Sequence, residues 1–432
     1  MTRAWRSVYP GLRLVYTGGV TLENVARLAS SDPDGIYCGS AVAKHVGDPD
    51  RLQAEAAHWL SEIKRATGGD LGGAVRAKAP ATKAVTSTAA GPSPCVVTFG
   101  EIMLRLSPPA GERIRRTRSF DAHYGGAEAN VAVSIAQLGL ESRYITALPP
   151  NDLGLGAVDA LRGLGVNVSH VLYQGNRIGT YYLEHGASQR PSRVIYDRTG
   201  SAIALLTQGQ IDWDAVFGGA QWFHWTGITP ALGDGTAAAT ADAVEAARRL
   251  GVTVSVDLNY RAKLWSRERA REVMEPLVEQ ADVVVANEED AADVFGIKAA
   301  KTKVDRGELD IAAYEDVARQ LVDRFNLSIA AITLRQSHSA SENTWSACLW
   351  DGSEFLASRE YRISLVDRVG GGDAFTAGLI WGLLSGKSHA EALEFGVAAS
   401  CLKQTIMGDF NLVTVDEVAK LVGGDVAGRI KR

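Results

Sequence analysis

The chain has 432 residues, a formal net charge of −5, and 46% hydrophobic and 22% charged residues. That length carries one large domain and a smaller second one, and the composition is that of a soluble globular protein. The mild acidity gives no reason to expect nucleic acid or an anionic membrane as a partner, and the basic cluster Arg113–Arg118 reads as a solvated face.

Cys38, Cys95, Cys348 and Cys401 stand far apart, with no CxxC pair and no ligand-like His/Cys spacing. A zinc site or disulfide framework is not expected, and a reducing, cytoplasmic setting fits. The longest apolar stretch, near Ala374–Leu384, is about half of what a membrane span requires, and the N-terminus does not lead into a signal-peptide core.

In chain order, Leu12–Val20 and Gly35–Val42 read as two β–turn–α units, each with a glycine turn at the strand's carboxyl end. Such turns suit phosphate. Residues 68–94 are rich in Ala, Gly, Pro, Ser and Thr without apolar periodicity. They read as a flexible linker between a short module, 1–67, and a long one, 95–432.

The long module alternates apolar runs with helical patterns. Its predicted strands are Val96–Leu106, Arg143–Ala147, Thr180–Glu184, Trp222–Thr226, Val252–Leu258, Val283–Ala286 and Ala330–Leu334. Its predicted helices are Ala127–Leu138, Gly154–Leu164, Thr236–Leu250, Ala312–Phe325, Asp373–Leu384 and Ala390–Gln404. Runs apolar on both faces belong to strands covered on both sides, so the fold class is α/β with a parallel-centred sheet. Ligands then belong at the carboxyl ends of the strands.

The strongest local signal is Asp367-Arg-Val-Gly370-Gly371-Gly372-Asp373-Ala-Phe-Thr-Ala-Gly378. Three glycines lead into an apolar helix, whose free N–H groups and dipole make an anion site. That site suits the charge developing on a transferring phosphoryl group, with Asp373 as the general base. The spacing is not that of a Walker A loop. The plainer alternative is a glycine turn in which Asp373 caps a helix.

These residues resemble the C-terminal signature of the ribokinase-like (PfkB) carbohydrate kinases, DTxGAGDxF, with Arg368 for the usual Thr or Ser and Gly371 for Ala. The family's Gly-Gly…Asn signature is matched by Gly125-Gly126-Ala-Glu-Ala-Asn130. The resemblance implies a three-layer sandwich with a mostly parallel central sheet and a small β-lid, built here from 177–184 and 193–197. It implies ATP and Mg²⁺ as cofactors, Asp373 as base and an anion hole at 370–373. Asn287-Glu288-Glu289-Asp290 stands at the family's NxxE position, so either Glu289 or Asp290 would organise the metal through water. A helix N-terminus rich in acids is the simpler account of that stretch. Around ATP the resemblance places Asn287, Leu334, Ser337, Gly370 and Gly372. The family's TxGxxG turn is replaced by Arg335-Gln-Ser-His-Ser-Ala.

Gly100–Pro109, Val194–Ala202, Trp222–Pro230, Val256–Trp265 and Gly408–Val413 look like one subfamily, the 2-keto-3-deoxygluconate kinases. The substrate expected from that likeness is a small sugar acid. Its carboxylate wants a cation, and Arg198 and Arg261 offer planar forks. Gly125, Gly126, Asn130, Tyr181, Tyr196 and Asp257 complete the expected sugar pocket. Surface ion pairing and lid packing are the plain alternatives for the arginines and tyrosines. Other sugars, such as fructose or a nucleoside, remain alternatives for the acceptor, and a homo-oligomer is allowed.

The short module is similar to the last two βα units of 2-keto-3-deoxy-6-phosphogluconate aldolase. Thr17, Gly18, Gly19 and Ser40 would match residues around its substrate phosphate, with Tyr16 for the usual Pro. The family's Schiff-base lysine and acid/base glutamate have no counterparts, and Lys44 is out of place. The expectation is a partial βαβα fragment without aldolase activity, since a quarter-barrel cannot close its sheet. A bifunctional kinase–aldolase is the competing reading.

Overall fold

The computed structural model describes residues 15–17, 35–37, 93–287, 289–298 and 311–424. The chain separates into two compact units, Met1–Ala90 and Gly91–Arg432. In the first, β1 (Val15–Thr17) pairs in parallel with β2 (Gly35–Tyr37). Gly18, Gly19, Ser40, Lys44 and the expected linker through 92 lie outside the described residues.

The second unit begins with β3 (Cys95–Phe99), β4 (Met103–Ser107), β5 (Asp121–Gly125), β6 (Glu141–Ile145), β7 (Ala147–Leu148) and β8 (Leu172–Tyr173). It continues through β9 (Gly179–Glu184), β10 (Arg193–Asp197), β11 (Trp222–Thr226), β12 (Thr253–Asp257) and β13 (Val283–Asn287). The last strands are β14 (Ile329–Ser339), β15 (Glu342–Trp350), β16 (Phe355–Ala357) and β17 (Tyr361–Ser364). The wide sheet runs β16-β15-β14-β13-β12-β11-β3-β6, with β17 also on β15. From β6 to β14 every pairing is parallel, and β15, β16 and β17 add antiparallel edges.

Alternating side chains divide between two cores. Val97, Phe99, Val254, Val256, Val284, Ala286, Ile332 and Leu334 enter one. Val96, Val283, Val285 and Ala331 enter the other, beneath Phe375, Leu379 and Val397. The helices Gly371–Leu384 and His389–Lys403 meet there at glycines: a Cβ at Gly378 would lie 2.8 Å from Gly396 Cα. Short side chains thus allow the backbone approach that seats the 371–384 helix over the sheet.

The expected single strand Val96–Leu106 is two strands in different sheets, broken at Gly100-Glu101-Ile102. The first lies at the heart of the wide sheet, and the second joins a four-stranded lid, β10-β9-β4-β5. The lid therefore holds β4 and β5 in addition to the two expected strands. No described helix is long and apolar enough to cross a membrane.

Candidate functional site

The two faces of the wide sheet differ in their polar residues. Thr226, Asp257, Asn287, Thr333 and Arg335 sit on strand positions that alternate with the residues of the first core. They therefore face the side covered by the Gly371–Leu384 helix. There, under the lid, a cavity of about 340 Å³ opens. Its walls bring together Gly126, Asn130, Tyr181, Tyr196, Arg198, Asp257, Arg261, Asn287, Asp290 and Gly370–Asp373.

Gly370 caps the 371–384 helix with a left-handed φ of 80°. A Cβ there would lie 2.1 Å from the carbonyl oxygen of Asp409. Glycine is required at that position for its backbone angle and for space. The helix N-terminus has no side-chain cap; the Gly371 amide donates to the Arg368 carbonyl at 3.3 Å, and Gly370–Asp373 line the cavity at the positive end of the helix dipole.

Asp373, in the first turn, is partly exposed to the cavity and accepts a 2.6 Å hydrogen bond from Asn130 Nδ2. Burial pushes its carboxyl up to about 6, opposed chiefly by the Asn130 hydrogen bond. Asn130 is 3% exposed, and its Oδ1 accepts from the Gly126 amide at 3.3 Å. The Gly-Gly…Asn motif and the glycine triplet, far apart in sequence, are one device in space.

Glu128, in the first turn of the Ala127–Gln137 helix that also carries Asn130, is buried and accepts from the Thr226 amide at 3.1 Å and from the hydroxyls of Thr226 and Thr229. Burial raises its carboxyl to about 7. It fixes the start of the Ala127–Gln137 helix against the end of β11 and lies behind the cavity wall.

On the opposite wall Asp257 and Asp290 are both buried, and burial lifts each carboxyl above its ordinary range. Asp290 accepts from the amides of Asn287 and Tyr260, both at 3.2 Å. Glu289 is exposed and is not part of the wall. Of the two acids left open by the sequence, Asp290 is the one in the cavity. Among the described residues no group of three or more His, Cys, Asp or Glu is arranged to hold a metal. Two carboxylates beside the anion site instead suit Mg²⁺ carried mainly by water and phosphate oxygens.

Three of the expected residues, Leu334, Ser337 and Gly125, lie off the cavity wall. Leu334 points into the first core and is 1% exposed; its neighbours Thr333 and Arg335 line the cavity instead, because side chains alternate along a strand. Ser337 and Gly125 are not on the wall. A Cβ at Gly125 would lie 2.1 Å from Asp409 Oδ2, so that glycine makes room for Asp409. Tyr181 reaches the cavity, but its hydroxyl donates to Asp409. Arg198 is ion-paired with buried Glu101, so its fork is partly spoken for. Arg261 is exposed, with Nη1 donating to the Tyr260 carbonyl at 3.0 Å.

Sequence reading missed Arg105 and Asp409. Arg105 is fully buried and donates to Asp367 Oδ2 at 2.6 Å and Asp409 Oδ1 at 2.7 Å. It ties the lid to the loop before the glycine turn and to the tail. Both residues fall in stretches that resemble the subfamily, yet no local pattern marks their contact.

Residues 94–411 match the family model described as pfkB family carbohydrate kinase. A 2-dehydro-3-deoxygalactonokinase of Haloferax volcanii is 35% identical over 333 residues, which span 77% of this chain and 98% of that protein. A 2-dehydro-3-deoxygluconokinase of Thermoproteus tenax is 27% identical over 319 residues, 73% of this chain and 89% of that protein. The crystal structure of 2-dehydro-3-deoxygluconokinase from Thermotoga maritima matches with a TM-score of 0.74 and 48% identity, covering 77% of this chain and 99% of that one.

Proposed function

The chain belongs to the pfkB family of carbohydrate kinases, and on that premise we propose that it phosphorylates 2-keto-3-deoxygluconate (2-dehydro-3-deoxygluconate) with ATP at its terminal hydroxyl. The observation carrying this reading is the Asp373 carboxylate, held by Asn130 at the mouth of an uncapped, glycine-led helix and across the cavity from Arg261.

The chemistry follows from these positions. The sugar hydroxyl enters between Asp373 and the Gly370–Gly372 amides. Its oxygen attacks the terminal phosphorus, the bond from that phosphorus to the bridging oxygen breaks, and ADP departs. The hydroxyl proton passes to Asp373. A carboxyl raised to about 6 is still ionised at neutral pH, yet is a stronger base than an ordinary aspartate. The amides and the helix dipole stabilise charge on the phosphoryl oxygens in flight. When bound with the nucleotide, Mg²⁺ neutralises polyphosphate charge, and Asp257, Asp290 and Asn287 are the residues beside which it would sit.

The acid end of the substrate is assigned to Arg261, with Arg198 sharing its charge between Glu101 and the sugar. The names of the Haloferax and Thermotoga proteins support an acid acceptor of this class, and they differ at one stereocentre. The galacto epimer is therefore the second reading. The test is an acceptor panel at saturating ATP: both epimers, fructose, ribose and a nucleoside, with the product identified by mass. Turnover of neutral sugars but of neither keto acid would end the proposal.

The parallel β1–β2 pair supports reading 1–67 as an aldolase-type βα fragment without catalytic lysine. Borohydride trapping of pyruvate on the chain would contradict that.

A further inference from the structure

Behind the glycine turn lies a buried cation for which the chemistry above has no use. Lys403 ends the His389–Lys403 helix and is 0% exposed. Its Nζ donates to the backbone carbonyls of Gly408 at 2.6 Å, Asp367 at 3.2 Å and Ile406 at 3.4 Å. An ammonium has three N–H donors, and here all three end on carbonyls.

Those carbonyls come from two separate segments. Asp367 opens the loop that becomes Gly370–Gly372; Ile406 and Gly408 belong to the tail that carries Asp409. The segments also meet directly, since the Gly408 amide donates to Asp367 Oδ2 at 3.1 Å. The tail's Asp409 carbonyl fills the space a Cβ at Gly370 would need, and Lys403 Cε lies 3.3 Å from that same position. The ammonium therefore stands directly under the left-handed residue that shapes the anion site. Burying an ammonium is costly unless its donors are satisfied and opposite charge is near. Here Asp367, Asp409 and Asp373 oppose the effect of burial on it.

We infer that the Lys403 ammonium is a built-in monovalent cation: a positioning residue that clamps the 367–372 loop to the tail and holds the anion site in shape. Carbonyl oxygens arranged around one positive centre are also the donor set for a weakly hydrated ion such as K⁺. The chain thus needs no added monovalent cation, and removing the lysine side chain leaves a cage that K⁺ or NH₄⁺ can enter.

This rests on the glycine turn being the phosphoryl-transfer centre. The first arm measures wild-type turnover in K⁺, Na⁺ and tetramethylammonium buffers, with equal rates expected; a requirement for K⁺ overturns the inference. Lys403→Ala in tetramethylammonium is expected to lose turnover by about 10²-fold through a displaced turn, with the sugar KM little changed. K⁺ or NH₄⁺ should restore much of it. Lys403→Met, which refills the stem without charge, should stay slow in every salt. A folded Lys403→Ala with wild-type turnover, or one that no small cation improves, sinks the proposal. Melting of Lys403→Ala in K⁺ against tetramethylammonium reads cage occupancy without any substrate. A wrong acceptor sugar would leave that arm intact, and if the variant cannot be purified folded, the wild-type salt series still decides.

Discussion

Asn130 donates its side-chain amide to Asp373 Oδ2 at 2.6 Å, joining residues 243 positions apart in the chain. In the proposed mechanism this contact divides the labour between two glycine-rich motifs: one supplies the base and the anion site, and the other supplies the donor that keeps the base ionised and aimed. A hydrogen bond to the charged form lowers a carboxyl's proton affinity, against the burial that raises it to about 6. Removing the donor leaves burial unopposed. Asn130→Ala should move the acid limb of kcat/KM to higher pH than in the wild type, where it falls near about 6. A pH–rate profile of both proteins checks this. An unmoved limb would mean that Asn130 only packs.

Asp373→Asn should lose about 10²–10⁴-fold in kcat, because general-base catalysis is worth that much, while sugar binding by calorimetry persists. The same change has a stability consequence of opposite sign. A carboxyl whose folded-state value is raised binds its proton more tightly in the native chain than in the unfolded one. Native stability therefore falls as pH rises from the unfolded value, near 3.8, through about 6. Asp373→Asn removes that penalty. Its melting temperature should exceed the wild type's at pH 7 to 8, with the gap closing toward pH 4. A variant both inactive and less stable at neutral pH would point to a structural role for Asp373.

Much of the fold was legible because parallel strands buried on both faces are apolar along their length, as in 283–286, and because the helices show ordinary periodicity. The lid strand Met103–Ser107 was not separable from β3, since Val96–Leu106 reads as one apolar run and only the Gly100–Ile102 break, visible in three dimensions, divides it. Its Arg105 looks like a solvated charge, yet it is fully buried. Its partners lie 262 and 304 residues away, and no local pattern encodes a pairing at that distance. The lining of the candidate cavity was legible where one motif holds several residues, as at 370–373. It was not where a single register step decides the matter. Leu334 and Thr333 differ by one position and face opposite sides of the sheet.

Arg261 is exposed on the cavity wall and, in the proposed reading, meets the carboxylate of the substrate. A charge-assisted hydrogen bond to a carboxylate is worth about 1.5–3 kcal/mol, or roughly 10- to 150-fold. Arg261→Ala should raise KM for the keto acid by about that factor and leave KM for ATP nearly unchanged. Initial-rate kinetics with each substrate varied would show it. Equal effects on both substrates would move Arg261 out of the sugar pocket.

The Gly371–Leu384 and His389–Lys403 helices touch at Gly378 and Gly396, where a Cβ on Gly378 would come within 2.8 Å of Gly396 Cα. Backbone cannot yield there as a flexible side chain would. Gly378→Ala must separate the helices, at about 1–3 kcal/mol for overpacking. Denaturant melts should show that loss. Because the helix's first turn holds Asp373, the proposed base, kcat should fall as well. Unchanged stability would mean that the two helices slide freely.

Arg105 stands between two buried carboxylates, Asp367 and Asp409. Taking away one member of a buried ionic group usually costs about 3–5 kcal/mol, because the charge left behind has neither water nor partner. Arg105→Met keeps the bulk and removes the charge, so its deficit measures stranded charge rather than a cavity. If that is right, Asp409→Asn placed on top of Arg105→Met should be less damaging than Asp409→Asn alone. One of the two stranded charges then disappears, and the Tyr181 hydroxyl keeps an acceptor. Chemical denaturation of the four proteins in the cycle yields the coupling. A coupling near zero would show that the carboxylates are satisfied without Arg105, by the Gly408 and Val369 amides that already reach Asp367. The lid would then owe its attachment to the Tyr181–Asp409 hydrogen bond and to packing rather than to Arg105.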